Sequence, residues 1–131
     1  MPNYTALVTL AALLLYFYTG LLVAKARQKF GVSAPATTGN PDFERVFRVQ
    51  MNTLEWMPIL LPLLWLFALY LSDWAAAVLG LVWIAGRVVY IRGYSEMANK
   101  RHNGFGIQAF ACGALLIGAV IGIVVRLLHG G

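Results

Sequence analysis

The chain has a single cysteine, Cys112, so no disulfide can form within it. Charge is scarce. Only 11% of the residues are Asp, Glu, Lys or Arg, where a soluble domain carries about a quarter. Acid is scarcer still: five Asp and Glu stand against ten Lys and Arg, for a net charge of +5. There are two histidines, His102 and His129. Neither has partners at metal-ligand spacing, so no metal is expected. The run from Tyr4 to Ala24 holds no charged residue at all.

What is present is apolar surface, 60% of 131 residues. Water cannot be kept off so much of it without a bilayer. The length suits one domain, with no internal repeat and no low-complexity tract. Four apolar stretches follow one another, about Tyr4 to Ala24, Trp56 to Leu71, Trp74 to Gly86 and Phe105 to Val125. A spanning helix needs about 20 residues, so the middle two must continue into polar sequence at one end. Ser72-Asp73 allows only a tight turn, which makes the second and third helices an antiparallel hairpin. Gly31 to Pro41 (GVSAPATTGNP) reads as a loop. The reading is all-α: an integral membrane four-helix bundle, one domain over 1–131, with helices about 3–27, 42–71, 74–101 and 105–128. The first stretch reads as a spanning helix and not a signal peptide. Met1 to Tyr4 carries no positive charge, and the run is too long for the core of a signal.

The basic residues orient the chain. Lys25, Arg27, Lys29, Arg45 and Arg48 lie between the first two helices, and Arg87, Arg92, Lys100 and Arg101 between the last two. Only Arg126 lies on the other side. The positive-inside rule makes the charged face cytoplasmic. Both termini and the Ser72-Asp73 turn then lie opposite. Flanking apolar spans in this way, the cations suit lipid headgroups or an anionic ligand better than nucleic acid.

Polar residues align on two helices. From Phe43 to Glu55 (FERVFRVQMNTLE), Arg45, Arg48, Asn52 and Glu55 share an arc of about 80°. In the third helix Arg87, Tyr90, Tyr94 and Arg101 share about 60° if the helix runs that far. Gln50 points about 140° from Arg45, so it is expected to face a neighbouring subunit. Ionisable groups at membrane depth are costly and tend to mark function. Arg92 and Lys100 read as interfacial cations, but two aligned stripes containing Asn52 and Glu55 read as a site. Glu55 is expected to need a cationic partner, such as Arg48 or an arginine of another helix. Arginines hold carboxylates bidentately, while Glu, Asn and Gln suit an ammonium group and amides. Glutathione fits that inventory.

The segment Phe43 to Glu55, together with Arg87 to Tyr94 (RVVYIRGY), resembles the signature of the membrane-associated proteins in eicosanoid and glutathione metabolism, the MAPEG family. Thr37-Thr38-Gly39 also fits. The likeness runs from about Ala24 to Arg101 and is nearest to the microsomal glutathione transferase and leukotriene C synthase branch. It implies a homotrimer with glutathione bound between subunits at the cytoplasmic side. Arg48, Asn52, Glu55, Trp56, Tyr90, Tyr94 and Arg101 would come from one subunit, and Arg27 and Gln50 from its neighbour. Arg45 and Arg87 would support them. Arg101 would activate the glutathione thiol for attack on a hydrophobic electrophile or a lipid hydroperoxide. Trp56 and Trp65 are candidates to line the apolar groove or to face the membrane.

The resemblance has departures. The synthase branch carries two adjacent arginines at the end of helix one, and here the pair reads Arg27-Gln28. Trp56 stands where the synthase has tyrosine. The missing second arginine disfavours leukotriene-type epoxide opening and favours a general transferase or peroxidase, and Trp56 in place of tyrosine loses one hydrogen bond. The family also contains a non-catalytic lipid-binding scaffold, the five-lipoxygenase-activating protein, which is the alternative reading. A small four-helix multidrug exporter would need a carboxylate in the first helix, which is lacking. Cys112, inside the fourth helix, is a poor nucleophile candidate. Gly104 and Gly106 read as a loop and helix start, and Gly113, Gly118 and Gly122 as helix-packing positions. Pro58 and Pro62 are expected to bend the second helix.

Overall fold

The computed structural model describes the backbone of residues 1–96 and 102–130, and the side chains of 1–93 and 104–130. Four helices account for nearly all of it: α1 (Asn3–Phe30), α2 (Pro41–Tyr70), α3 (Asp73–Glu96) and α4 (His102–Leu128). All four are long and apolar enough to cross a membrane. A 28-residue helix such as α1 is about 42 Å long, against a hydrocarbon core of about 30 Å. The polar helix ends therefore reach headgroup depth, which is how the short apolar runs of α2 and α3 become full spans. α1 runs three residues past its expected end, to Phe30.

Local chemistry sets the helix ends. Gly31 closes α1 in the left-handed region, at φ 69°, and its N–H donates to the Arg27 carbonyl. Asn40 caps α2: its side chain accepts from the Phe43 N–H, and Pro41 takes the first turn, where no amide hydrogen is needed. At the other end of the bundle the turn does double duty. The Ser72 hydroxyl accepts from the Ala75 N–H and starts α3. The next residue, Asp73, reaches across to α1 and accepts from the N–H groups of Thr5 (2.8 Å) and Tyr4 (3.1 Å). α1 has no side-chain cap of its own, so the α2–α3 turn supplies it.

The main core joins all four helices through Val8, Ala12, Leu60, Leu64, Phe67, Trp83, Ala111 and Leu115, with Cys112 buried among them. Glycines set the spacing of α4. A methyl at Gly104 would collide with the Tyr90 backbone and lie 2.6 Å from the Gly86 carbonyl oxygen. The α3 and α4 backbones therefore touch there. Gly118 and Gly122 face Phe67 and Tyr70 of α2, whereas Gly113 faces open space. Trp65 donates to the Thr9 hydroxyl at 2.9 Å and ties α2 to α1. Pro58 and Pro62 both lie inside α2. Large apolar side chains such as Leu14, Phe17, Phe110 and Ile117 stay exposed around the outside, the surface a bilayer covers.

Candidate functional site

The capped start of α2 brings its polar stripe into the bundle. Asn52 lies eleven residues in from Pro41, roughly 16 Å along the axis. On α3, Trp83, Arg87 and Tyr90 follow at helical spacing on one inward face, and all three are buried. Arg87 is fully buried, a costly position for a cation at membrane depth. Its Nη1 donates to Asn52 Oδ1 at 2.8 Å, and its guanidinium lies 3.8 Å from the Tyr90 ring centroid. The two stripes thus meet at Asn52 and Arg87. Arg87 Nε and Nη2 have no hydrogen-bond acceptor among the described residues. The cation is held by an amide dipole and a ring face.

From Asn52 the stripe continues outward. Arg48 and Glu55 are exposed, within about 60° of Asn52 around the helix. Among the described residues the one salt bridge joins Arg45 to Asp42, so Glu55 has no cationic partner among them. Trp56 is half-buried and meets the Phe105 ring edge-on, with centroids 6.0 Å apart, at the α2–α4 contact.

Three expected site residues take other surroundings. Arg45 pairs with Asp42 one turn upstream and lines a groove against α1. Arg27 donates from Nη1 to the carbonyls of Ala36 (2.8 Å) and Val32 (3.3 Å) and lies over the Phe43 ring, 5.0 Å from its centroid. It latches the 31–40 loop of its own chain. Gln50 is half-buried against α1, where a methyl on Gly20 would stand 3.4 Å from its Nε2. The Tyr94 side chain and all of Arg101 lie outside the described residues.

Sequence reasoning missed Gln108. It is fully buried on α4 against Gly86, and neither end of its amide has a partner among the described residues. It is the one amide in the fourth apolar stretch, and a lone polar residue in a spanning run was signal enough. Asp73 was read only as part of a turn, and its cap on α1 needed the fold. Among the described residues no three of His, Cys, Asp and Glu gather as a metal site would require.

Comparisons with known proteins place the chain among its relatives. The chain is 48% identical over 122 residues to an uncharacterised protein of Synechocystis sp., covering 93% of this chain and 89% of that one. It is 45% identical over 106 residues to microsomal glutathione S-transferase 2 of Homo sapiens, covering 81% and 72%. It is 40% identical over 125 residues to leukotriene C4 synthase of Rattus norvegicus, covering 95% and 83%. The model of the MAPEG family matches residues 5–121, which takes in α2 and α3, most of α1 and α4, and both polar stripes. This four-helix membrane protein belongs to the MAPEG family.

Proposed function

We propose that the chain is a membrane-bound glutathione transferase that joins the glutathione thiolate to hydrophobic electrophiles. The observation that carries this is the Asn52–Arg87 bond. It ties the two motif helices and leaves Arg48 and Glu55 on the outer side of the stripe, with no ion pair among the described residues. An exposed arginine two turns from an exposed carboxylate matches a ligand that carries both carboxylates and an ammonium group. Relatives named as a glutathione S-transferase and a leukotriene C4 synthase support the same chemistry.

In this reading the working unit is a homotrimer with its charged face in the cytoplasm. Arg48, Asn52, Glu55, Trp56, Tyr90 and Tyr94 hold glutathione, and Arg27 and Gln50 of the neighbouring subunit close the site. Arg101 is the residue assigned to activate the thiol. A thiol with a pKa near 8.5 is mostly protonated at neutral pH, and only the thiolate attacks. Lowering that pKa by two units requires about 2.7 kcal/mol of preferential thiolate stabilisation, within reach of one guanidinium in a partly dry site. The thiolate sulfur then bonds to the electrophilic carbon as the leaving group departs with its electron pair. With a lipid hydroperoxide, two glutathiones become the disulfide and the hydroperoxide becomes alcohol and water.

A thiolate absorbance titration of the purified protein with glutathione tests binding and activation together. A glutathione-dependent thiolate band, and conjugation to a reactive aryl halide, are expected. Protein that binds lipid yet shows neither is the non-catalytic scaffold instead.

A further inference from the structure

A second polar feature lies at the charged end, where Arg45 turns away from the rest of the stripe toward α1. The last turns of α1 and the first turns of α2 enclose a groove of about 420 Å³. That is within the range of small-ligand clefts, about 300–1,000 Å³. Lys25, Lys29, Arg45 and Asp42 line it together with Leu22 and Val46. Asp42 is taken by Arg45. Lys25 and Lys29, one turn apart on α1, have no ion pair among the described residues. Arg45 Nε is buried without a hydrogen-bond partner there, an unused donor beside the groove. Three cations against one acid leave a surplus of two positive charges.

The groove is graded along the membrane normal. Lys29 and Arg45 lie toward the helix ends. Leu22, seven residues before Lys29, lies about 10 Å deeper. The charged rim and apolar depth match the order of groups in a phospholipid.

We propose that this groove seats an anionic phospholipid. Its phosphate meets Lys25 and Lys29, beside the Arg45–Asp42 pair, and one acyl chain follows Leu22 and Val46. Snorkelling lysines alone would gather anionic lipid loosely. A groove holds one molecule in register. The proposal does not depend on glutathione chemistry.

The test uses the full chain in nanodiscs of equal phosphatidylglycerol and phosphatidylcholine, with lipids retained on the released protein counted by native mass spectrometry. At about 1 kcal/mol per cation near the surface, even one engaged side chain gives roughly fivefold enrichment of phosphatidylglycerol. The K25Q/K29Q/R45Q triple variant is expected to fall to parity. V46W keeps every charge but fills the groove, and it is expected to fall as well. R92Q/R126Q, removing two exposed cations elsewhere, is expected to keep the wild-type ratio. Parity in the wild type overturns the proposal. So does undiminished enrichment in V46W, which would mean surface charge without a seat. Displacement of the lipid by millimolar inorganic phosphate would make the site one for a free anion and overturn the lipid as occupant. Helical circular dichroism and gel filtration check each variant, and if the triple variant misfolds, V46W decides alone.

Discussion

Arg87 of α3 donates to the side-chain oxygen of Asn52 of α2 at 2.8 Å, inside a bundle where Arg87 has no exposed surface. A buried cation held by an amide needs that amide. Two residues from different motifs are thereby made one unit.

Replacing Asn52 by Ala removes the side-chain acceptor of the Arg87 Nη1–H. The expected cost is about 1.5–3 kcal/mol of stability, the range for hydrogen bonds to charged groups. A double-mutant cycle with Arg87→Met, read by reversible denaturation in detergent, is expected to show coupling of at least about 0.5 kcal/mol. Additive effects would mean that the contact carries no energy.

Asp73 caps a helix to which it does not belong. Asp73→Ala removes the acceptor for two α1 amides, at an expected cost of about 1–2 kcal/mol. Asp73→Asn keeps one acceptor oxygen and is expected to lose less. Hydrogen exchange at Tyr4 and Thr5 should rise in the Ala variant before any other part of α1 responds.

Two glycines of α4 make opposite forecasts. A side chain at Gly104 meets α3 backbone, which has no rotamer to yield. Gly104→Ala is therefore expected to destabilise by about 1–3 kcal/mol through overpacking. Gly113 has nothing within 4 Å, so Gly113→Ala is expected to gain about 0.5–1 kcal/mol from helix propensity. Thermal midpoints of both variants should lie on either side of the wild type.

If the proposed site is correct, its residues split in kinetics. Arg48→Gln and Glu55→Gln each remove a charged contact of about 1.5–3 kcal/mol and are expected to raise KM for glutathione by roughly 10- to 100-fold. Arg101→Ala is expected to lower kcat and abolish the thiolate band while leaving KM within a few-fold. Equal effects on kcat and KM in all three would remove the assigned division of labour.

Much of the architecture was legible in the chain. Four apolar stretches, a Gly- and Pro-rich loop and a two-residue turn specify four spanning helices because hydropathy and turn chemistry act locally. The stripe from Arg48 to Glu55 was legible from helical period alone, as was the inward face of Arg87 and Tyr90. Periodicity reports directions around one axis, and it could not say that Arg45 would turn to Asp42 or that Arg27 would latch its own loop. Both are short-range choices among nearby acceptors, made only when side chains compete for them.

The sequence by itself determined the membrane class, the helix count, the single charged end and the family signature. Only the tertiary structure decided that Asn52 meets Arg87, that Asp73 caps α1, that Gln108 lies sealed against Gly86, and that Lys25, Lys29 and Arg45 share a groove. The reason is physical. Burial in lipid and helix formation depend on runs of neighbouring residues. A contact between helices depends on how far apart two axes stand and how each is turned. In this bundle the glycines of α4 set how near it lies to α2 and α3, and the Asp73 cap ties the α2–α3 turn to α1.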